Sequence, residues 1–277
     1  MGKIIRSIFT KKRHEKVERL LVSYSTNIGM HREENQDNYF IDSTGRKMKE
    51  NISGVRQLDL SERRVFSVFD GMGGEACGAE ASELASAVLI DCLREVKEAL
   101  PEMLSDVVND YISRANNEIC DMASGKGCGT SGSTFAMVCI DEKYFRGYSL
   151  GDSKILMYDK KSLCQINEDQ TVAAQKVRAG IYSWEEAVNK EDFSKLTMFI
   201  GVDFVKKGLV SRNYGPFDIM GKTIVLCSDG LTNACDTEEI IEILSSTVQN
   251  KAEALVNLAL CNDADDNVTC IVIDCIC

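Results

Sequence analysis

Histidine and proline are almost missing from this chain, with two of each among 277 residues. The two histidines, His14 and His31, form no His-x-x-His pair. No two cysteines stand in a Cys-x-x-Cys spacing, so the usual zinc patterns are excluded. With two prolines and one tryptophan there is no room for a Pro-rich linker. No run of apolar residues approaches the length that spans a bilayer. The charged first residues hold no apolar stretch of secretory length, so a cytoplasmic protein is expected. Excess positive charge is also missing. The net charge is −11, which argues against nucleic acid as a partner.

Cysteine, in contrast, is plentiful, with twelve residues. Several lie inside apolar runs (Cys139, Cys227, Cys270), where cysteine acts as a small hydrophobe. The set is expected to be reduced core thiols of a cytosolic protein. Hydrophobic content of 44% is ordinary for a chain with a real core.

Charge is unevenly distributed. Residues 1–19 hold seven Lys and Arg against two Glu, about +5, and the remainder holds 25 against 41, about −16. A basic N-terminal extension (1–19) in front of an acidic domain (20–277) is expected. Ile4, Ile5, Ile8 and Phe9 alternate there with Lys3, Arg6, Lys11, Lys12 and Arg13. The extension reads either as a solvated leader or as a basic amphipathic helix that makes a weak membrane or partner contact. Arg6 stands where a myristoylation signal needs Ser or Thr.

Beyond the extension, helical and strand-like patterns follow in groups. Residues 81–93 and 104–122 carry apolar residues at helical spacing. Thr134–Ile140, Phe145–Leu150 and Ile155–Tyr158 read as strands, the first two joined by a short hairpin. Asp236-x-x-Glu239 predicts a capping box opening a helix through Leu244, and Ala252–Leu260 predicts another helix. Residues 160–215 are irregular and charged, and are expected to be surface segments. Hairpins and helices grouped apart predict an α+β fold.

The chemistry lies in short acidic motifs at strand ends. Val65–Phe69 runs into Asp70-Gly71-Met72-Gly73-Gly74. Ile224–Cys227 runs into Ser228-Asp229-Gly230. Asp266-Asn267 precedes Val268–Ile273. Asp37 closes Arg32-Glu33-Glu34-Asn35-Gln36-Asp37, and Gly151-Asp152-Ser153 forms a further acidic turn. One Asp at a strand end is ordinarily a turn residue. Several together are what hard cations such as magnesium or manganese require. Two such ions close together would acidify a water shared between them.

Six stretches in chain order carry a family resemblance: Arg32-x-x-Asn35-Gln36-Asp37, Val68-Phe69-Asp70-Gly71-Met72-Gly73-Gly74, Gly132-Ser133-Thr134, Ser149-Leu150-Gly151-Asp152-Ser153, Leu226-Cys227-Ser228-Asp229-Gly230-Leu231-Thr232 and Asp266-Asn267-Val268-Thr269. The chain resembles the metal-dependent protein phosphatases of type 2C, in their bacterial-like form. The resemblance implies a four-layer α-β-β-α sandwich of two antiparallel sheets with outer helices. It implies two Mg²⁺ or Mn²⁺ ions at one edge. Asp70 would bridge them, Asp229 and Asp266 would complete one, and the Gly71 carbonyl would bind the other. Asp37 would hold metal-bound waters. Asp152, with Asp229, would form a third, weaker site. Arg32 would grip the substrate phosphate with its planar fork.

The implied reaction is hydrolysis of phosphoserine and phosphothreonine on proteins by a metal-bridged hydroxide, without a phosphoenzyme. Substrates made by a Ser/Thr kinase, and a monomer, are expected on the same ground. Ser228 is then expected to shape its turn rather than to act as a nucleophile. Met72 stands where other members carry a histidine proposed as general acid. Gln36 replaces a common Glu, Lys154 a common Arg, and Asp169-Gln170-Thr171 a common Asp-His-Ser. Val177–Ile200 corresponds to the family's flap. Two other readings stay open, a family member that serves as a binding or regulatory module and a phosphatase of small phosphorylated metabolites. Gly221-Lys222-Thr223 is no phosphate-binding loop, because Pro216 stands where that motif needs its first glycine.

Overall fold

The computed structural model describes residues 17–45, 51–73, 77–188, 190, 192–202 and 209–276. Most of the basic extension (1–16), Gly74 and Cys277 lie outside them. Val17 is already buried in the core. The chain then forms β1 (Arg19–Asn27), β2 (Asn38–Ile41), β3 (Thr44–Gly45), β4 (Ile52–Asp59), β5 (Arg64–Phe69) and β6 (Gly71–Met72). Two long helices follow, α1 (Cys77–Glu98) and α2 (Leu104–Lys126), and then β7 (Gly132–Ser133), β8 (Phe135–Ile140), β9 (Tyr144–Leu150), β10 (Lys154–Tyr158) and β11 (Leu163–Gln165). The last part holds α3 (Val172–Arg178), α4 (Trp184–Ala187), β12 (Arg212–Asp218), β13 (Thr223–Cys227), α5 (Asp229–Ala234), α6 (Thr237–Ser245), α7 (Lys251–Cys261) and β14 (Val268–Ile276).

Two six-stranded antiparallel sheets result, ordered β11-β10-β13-β14-β1-β4 and β12-β9-β8-β5-β2-β3. The inner strands β8 and β13 are buried along their whole length and apolar on both faces, as strands covered on both sides must be. Along β13, Ile224 and Leu226 point between the sheets, while Val225 and Cys227 point at the helices. Along β5, Phe66 and Val68 point between the sheets, and Val65 and Phe69 point outward under α1 and α2. The alternation yields three apolar layers: one between the sheets, one under α1 and α2, and one under α5, α6 and α7. This is the four-layer sandwich the resemblance implied. Each fully buried Phe, Leu or Ile contributes about 1.5–3 kcal/mol through its burial.

Local signals set the helix ends. The Asp236 and Glu239 pair forms the expected capping box on α6, with the Asp236 backbone N–H donating to Glu239 Oε2 at 2.9 Å. Asn250 Oδ1 accepts from the Glu253 N–H to cap α7. Tyr111 Oη donates to the Ala85 carbonyl at 2.9 Å, locking α2 onto α1.

Two expectations need correction. Residues 160–215 are not all irregular surface, since they contain β11, α3, α4 and most of β12. The cysteines are not all reduced. Cys77, at the start of α1, and Cys128, just past the end of α2, have Cα atoms 6.7 Å apart and are joined as a disulfide. The antiparallel α1–α2 pair brings those two helix ends together. Cys92, Cys139, Cys227, Cys235 and Cys270 are buried free thiols.

Candidate metal centre

Every acidic motif arrives at the same end of the sandwich, and strand register is the reason. Asn38 pairs with Phe69, Cys227 with Cys270, and Phe135 with Leu150. Asp37 precedes β2, Asp70 follows β5, Asp152 follows β9, Asp229 follows β13 and Asp266 precedes β14. These register pairs place all five carboxylates at one rim. Asp70, Asp152, Asp229 and Asp266 line a cleft of about 590 Å³ together with Gly71 and Arg32. Asp37 lies buried behind it.

Glycine permits the close approaches at this rim. A Cβ on Gly71 would stand 2.2 Å from the Gly78 carbonyl oxygen and 2.6 Å from that of Gln36. A Cβ on Gly230 would stand 2.2 Å from the Asn267 carbonyl oxygen. Both obstacles are backbone atoms, so the two Asp-Gly motifs close only with glycine.

Neutral side chains hold the motifs together. Asn267 Nδ2 donates to the Ile28 and Glu34 carbonyls at 2.8 and 3.0 Å, and its Oδ1 accepts from the Gln36 N–H at 2.8 Å. It thereby fixes the Arg32–Asp37 loop to the start of β14. Thr134 Oγ1 accepts from the Asp70 N–H at 2.9 Å and shares a hydrogen with Ser153 Oγ at 2.6 Å. Thr134 thus ties the Asp70 turn to the Asp152 turn. Sequence reasoning marked the motifs containing Asn267 and Thr134 but gave these side chains no role. Their position beside the acidic residues was the available signal.

The electrostatics is that of crowded negative charge. Burial, then the charges of Asp37, Asp229, Asp266 and Asp152, raises Asp70 well above the carboxylate range. Burial pushes Asp37 up to about 7, against hydrogen bonds from Ser228 and Thr269. Burial and the charge of Asp229 push Asp152 up to about 8, with Lys154 opposing. Burial and Asp229 also raise Asp266, opposed by the Asn267 N–H and Arg32. Cationic relief is scarce. Arg32 Nη2 bonds Asp266 Oδ2 at 2.8 Å, and Lys154 Nζ is committed to Asp169 at 2.7 Å.

Among the described residues, no three His, Cys, Asp or Glu side chains are already closed around a metal-sized point. The donor set nevertheless suits a hard divalent cation. The cleft's charged lining is carboxylates beside Gly71 and two cations, without histidine or thiolate. Asp37 Oδ1 is buried with no hydrogen-bond partner, an acceptor that a cation's hydration shell would satisfy.

A family model for protein phosphatase 2C matches residues 56–260. The chain belongs to the protein phosphatase 2C family. Among relatives, it is 30% identical over 214 residues to the serine/threonine phosphatase stp of Listeria monocytogenes serovar 1/2a, covering 76% of this chain and 84% of that protein. It is 30% identical over 254 residues to a putative protein phosphatase 2C-type of Streptococcus pyogenes serotype M6, covering 90% and 94%. Among solved structures, the serine/threonine phosphatase of S. agalactiae superposes with a TM-score of 0.77 at 24% identity, over 93% of this chain and all of that one. The catalytic domain of the phosphatase PstP in complex with two manganese ions superposes at 0.70 with 23% identity, over 92% and 98%. Those last two likenesses concern the fold. Within the family frame, the structure gathers Arg32, Asp70, Gly71, Asp152, Asp229 and Asp266 around one cleft, with Asp37 beneath.

Proposed function

We propose that this chain is a divalent-metal-dependent phosphatase that hydrolyses phosphoserine and phosphothreonine on proteins, acting in the cytoplasm on products of Ser/Thr kinases. Membership in the protein phosphatase 2C family and the phosphatase names of its relatives support this reading. The observation that carries it is the convergence of Asp70, Asp152, Asp229 and Asp266 on a single cleft that Gly71 and Arg32 also line.

Asp70, Asp229, Asp266 and the Gly71 carbonyl would hold two Mg²⁺ or Mn²⁺ ions, and Asp152 with Asp229 a third. The bound ions would supply positive charge against the phosphoryl oxygens and acidify water for attack. The protein's own residues then have defined tasks. Asp37, held by Ser228, fixes water on the buried side of the cleft. Arg32 is anchored through Nη2 to Asp266 and through Nε to the Asp265 carbonyl at 3.2 Å. Its Nη1 donors remain for a phosphate oxygen. Met72 carries no transferable proton, so that position does not supply the acid for the leaving group.

The test compares a phosphoserine peptide, p-nitrophenyl phosphate and small phosphorylated metabolites as substrates, with Mn²⁺, Mg²⁺ or EDTA. Wild type should hydrolyse the peptide only with metal, and Asp229→Asn should lose about 10²-fold or more. A large preference for metabolites would overturn the protein substrate. No turnover with any metal in a folded protein would favour a binding or regulatory module.

A further inference from the structure

Beside the acidic cleft lies a depression of opposite character. Lys176, Lys190 and Lys195 surround Tyr182 there, and Asp192 is the single carboxylate among the lining residues, in a volume of about 400 Å³. Asp192 is already engaged, by an ion pair with Lys176 and a hydrogen bond from Tyr182 Oη at 2.9 Å. Lys190 and Lys195 have no ion-pair partner among the described residues. The Lys176 and Lys190 ammonium groups lie 5.8 and 6.0 Å from the Tyr182 ring centroid, so the ring gathers the two cations. The cluster is conspicuous in a chain of net charge −11.

Lys195 joins the two places. It lines both the basic depression and the metal cleft, where Ser194 and Leu196 flank it. Its backbone is fixed to the scaffold. The Lys195 carbonyl accepts from the Val172 N–H at 2.8 Å, the Thr197 N–H donates to the Gln170 carbonyl at 2.8 Å, and Leu196 bridges to Thr171. The backbone at Lys195 therefore holds a set position between the two cavities.

We propose that Lys195, at the edge of the metal cleft, and Lys190, gathered with Lys176 on Tyr182, form a specificity subsite for an acidic residue flanking the phosphorylated residue of the substrate. This rests on the protein-phosphatase reading above. A peptide with its phosphate in the carboxylate cleft and its chain leading past Lys195 and Lys190 meets ammonium groups that have no ion-pair partner among the described residues. A carboxylate side chain gains there, and a lysine side chain is repelled. A second phosphate shares the same anionic chemistry.

The experiment measures kcat/KM on matched phosphoserine peptides that carry Asp, Ala or Lys at the two to four positions on either side. A peptide with a second phosphoserine at the preferred position distinguishes phosphate from carboxylate. On one side Asp should be preferred over Ala by about threefold to tenfold, and the preference should shrink between low and high salt. Lys195→Glu with Lys190→Glu should invert the order, making the Lys-flanked peptide the better substrate. The ratio within one variant is the readout, so a general loss of activity does not mimic the effect. Equal rates for all three flanks in wild type, or a preference unchanged in the double variant, would overturn the subsite while leaving the phosphatase reading intact. Failure of every phosphopeptide, neutral ones included, would overturn both.

Discussion

Ser228 Oγ donates to Asp37 Oδ2 at 2.6 Å, joining two buried residues 191 positions apart in sequence. The same Ser228 oxygen accepts from the Thr269 N–H at 3.0 Å. One hydroxyl therefore links the loop before β2, the end of β13 and the start of β14. Ser228 stands at the N-cap of α5 but its side chain does not cap that helix; it is spent on the contacts to Asp37 and Thr269. Ser228→Ala removes the donor that Asp37 relies on while leaving the backbone free to fold. Stability should fall by about 1.5–3 kcal/mol, as for a lost hydrogen bond to a charged acceptor. Mn²⁺ affinity should fall as well. Chemical denaturation with and without EDTA, together with metal titration calorimetry, checks both. Unchanged affinity would remove Asp37 from the metal centre's support.

Asn267 offers a second lever. Its amide satisfies the Ile28 carbonyl ahead of the Arg32–Asp37 loop and, within that loop, the Glu34 carbonyl and the Gln36 N–H. Asn267→Ala strands three backbone groups and frees the loop that carries Arg32 and Asp37. A cost of about 2–4 kcal/mol is expected. Asn267→Asp should rescue only the bond from the Gln36 N–H, because a carboxylate cannot donate to the two carbonyls. Urea denaturation of both variants decides this, and equal stability of Ala and Asn would refute the clamp.

These contacts also mark where sequence reading stopped. The ends of β5 and β13 were legible, because an apolar run gives way abruptly to Asp-Gly. The role of Asn267 was not, since its partners lie more than 230 residues away and leave no local pattern. β12 was missed for another reason. Gly215 and Pro216 interrupt its alternation, and its register shifts between Tyr214 and Phe217. An edge strand that pairs only with β9 tolerates that interruption. The Cys77–Cys128 pairing was likewise hidden, because it depends on how α1 packs on α2.

The carboxylate cluster makes the metal-free protein pH-sensitive in a defined direction. Asp37 and Asp152 have folded values of about 7 and about 8 against 3.8 unperturbed. Between those limits the native state binds more protons than the unfolded one. Stability in EDTA should therefore fall as pH rises from about 4 to about 8. Glu62, lowered by its bond to Lys97, acts oppositely but below about pH 4.5, outside this window. Asp70→Asn removes one of the crowded carboxylates and should raise the metal-free melting temperature at pH 7.5, even though it removes a proposed metal ligand. Adding Mn²⁺ should raise the melting temperature of wild type at pH 7.5 and not that of Asp70→Asn. A melting temperature in EDTA that climbs between pH 5 and 8 would contradict the crowding.

The thiols give a prediction independent of catalysis. Burial pushes Cys139 and Cys227 up to about 12 and Cys270 well above the usual thiol range. At pH 8 a thiol at that value is thiolate in about one molecule in 10⁴. Since the thiolate is the nucleophile, these three should resist iodoacetamide in the native protein, while the exposed Cys164 and Cys261 alkylate readily. Cys77 and Cys128 should label only after reduction. Peptide mass spectrometry after timed alkylation, native and in guanidinium, reads all seven at once. Native labelling of Cys139 or Cys227 at the rate of Cys164 would show that the sheets open far more often than their packing allows. Labelling of Cys128 before reduction would show that the bond to Cys77 does not form in solution.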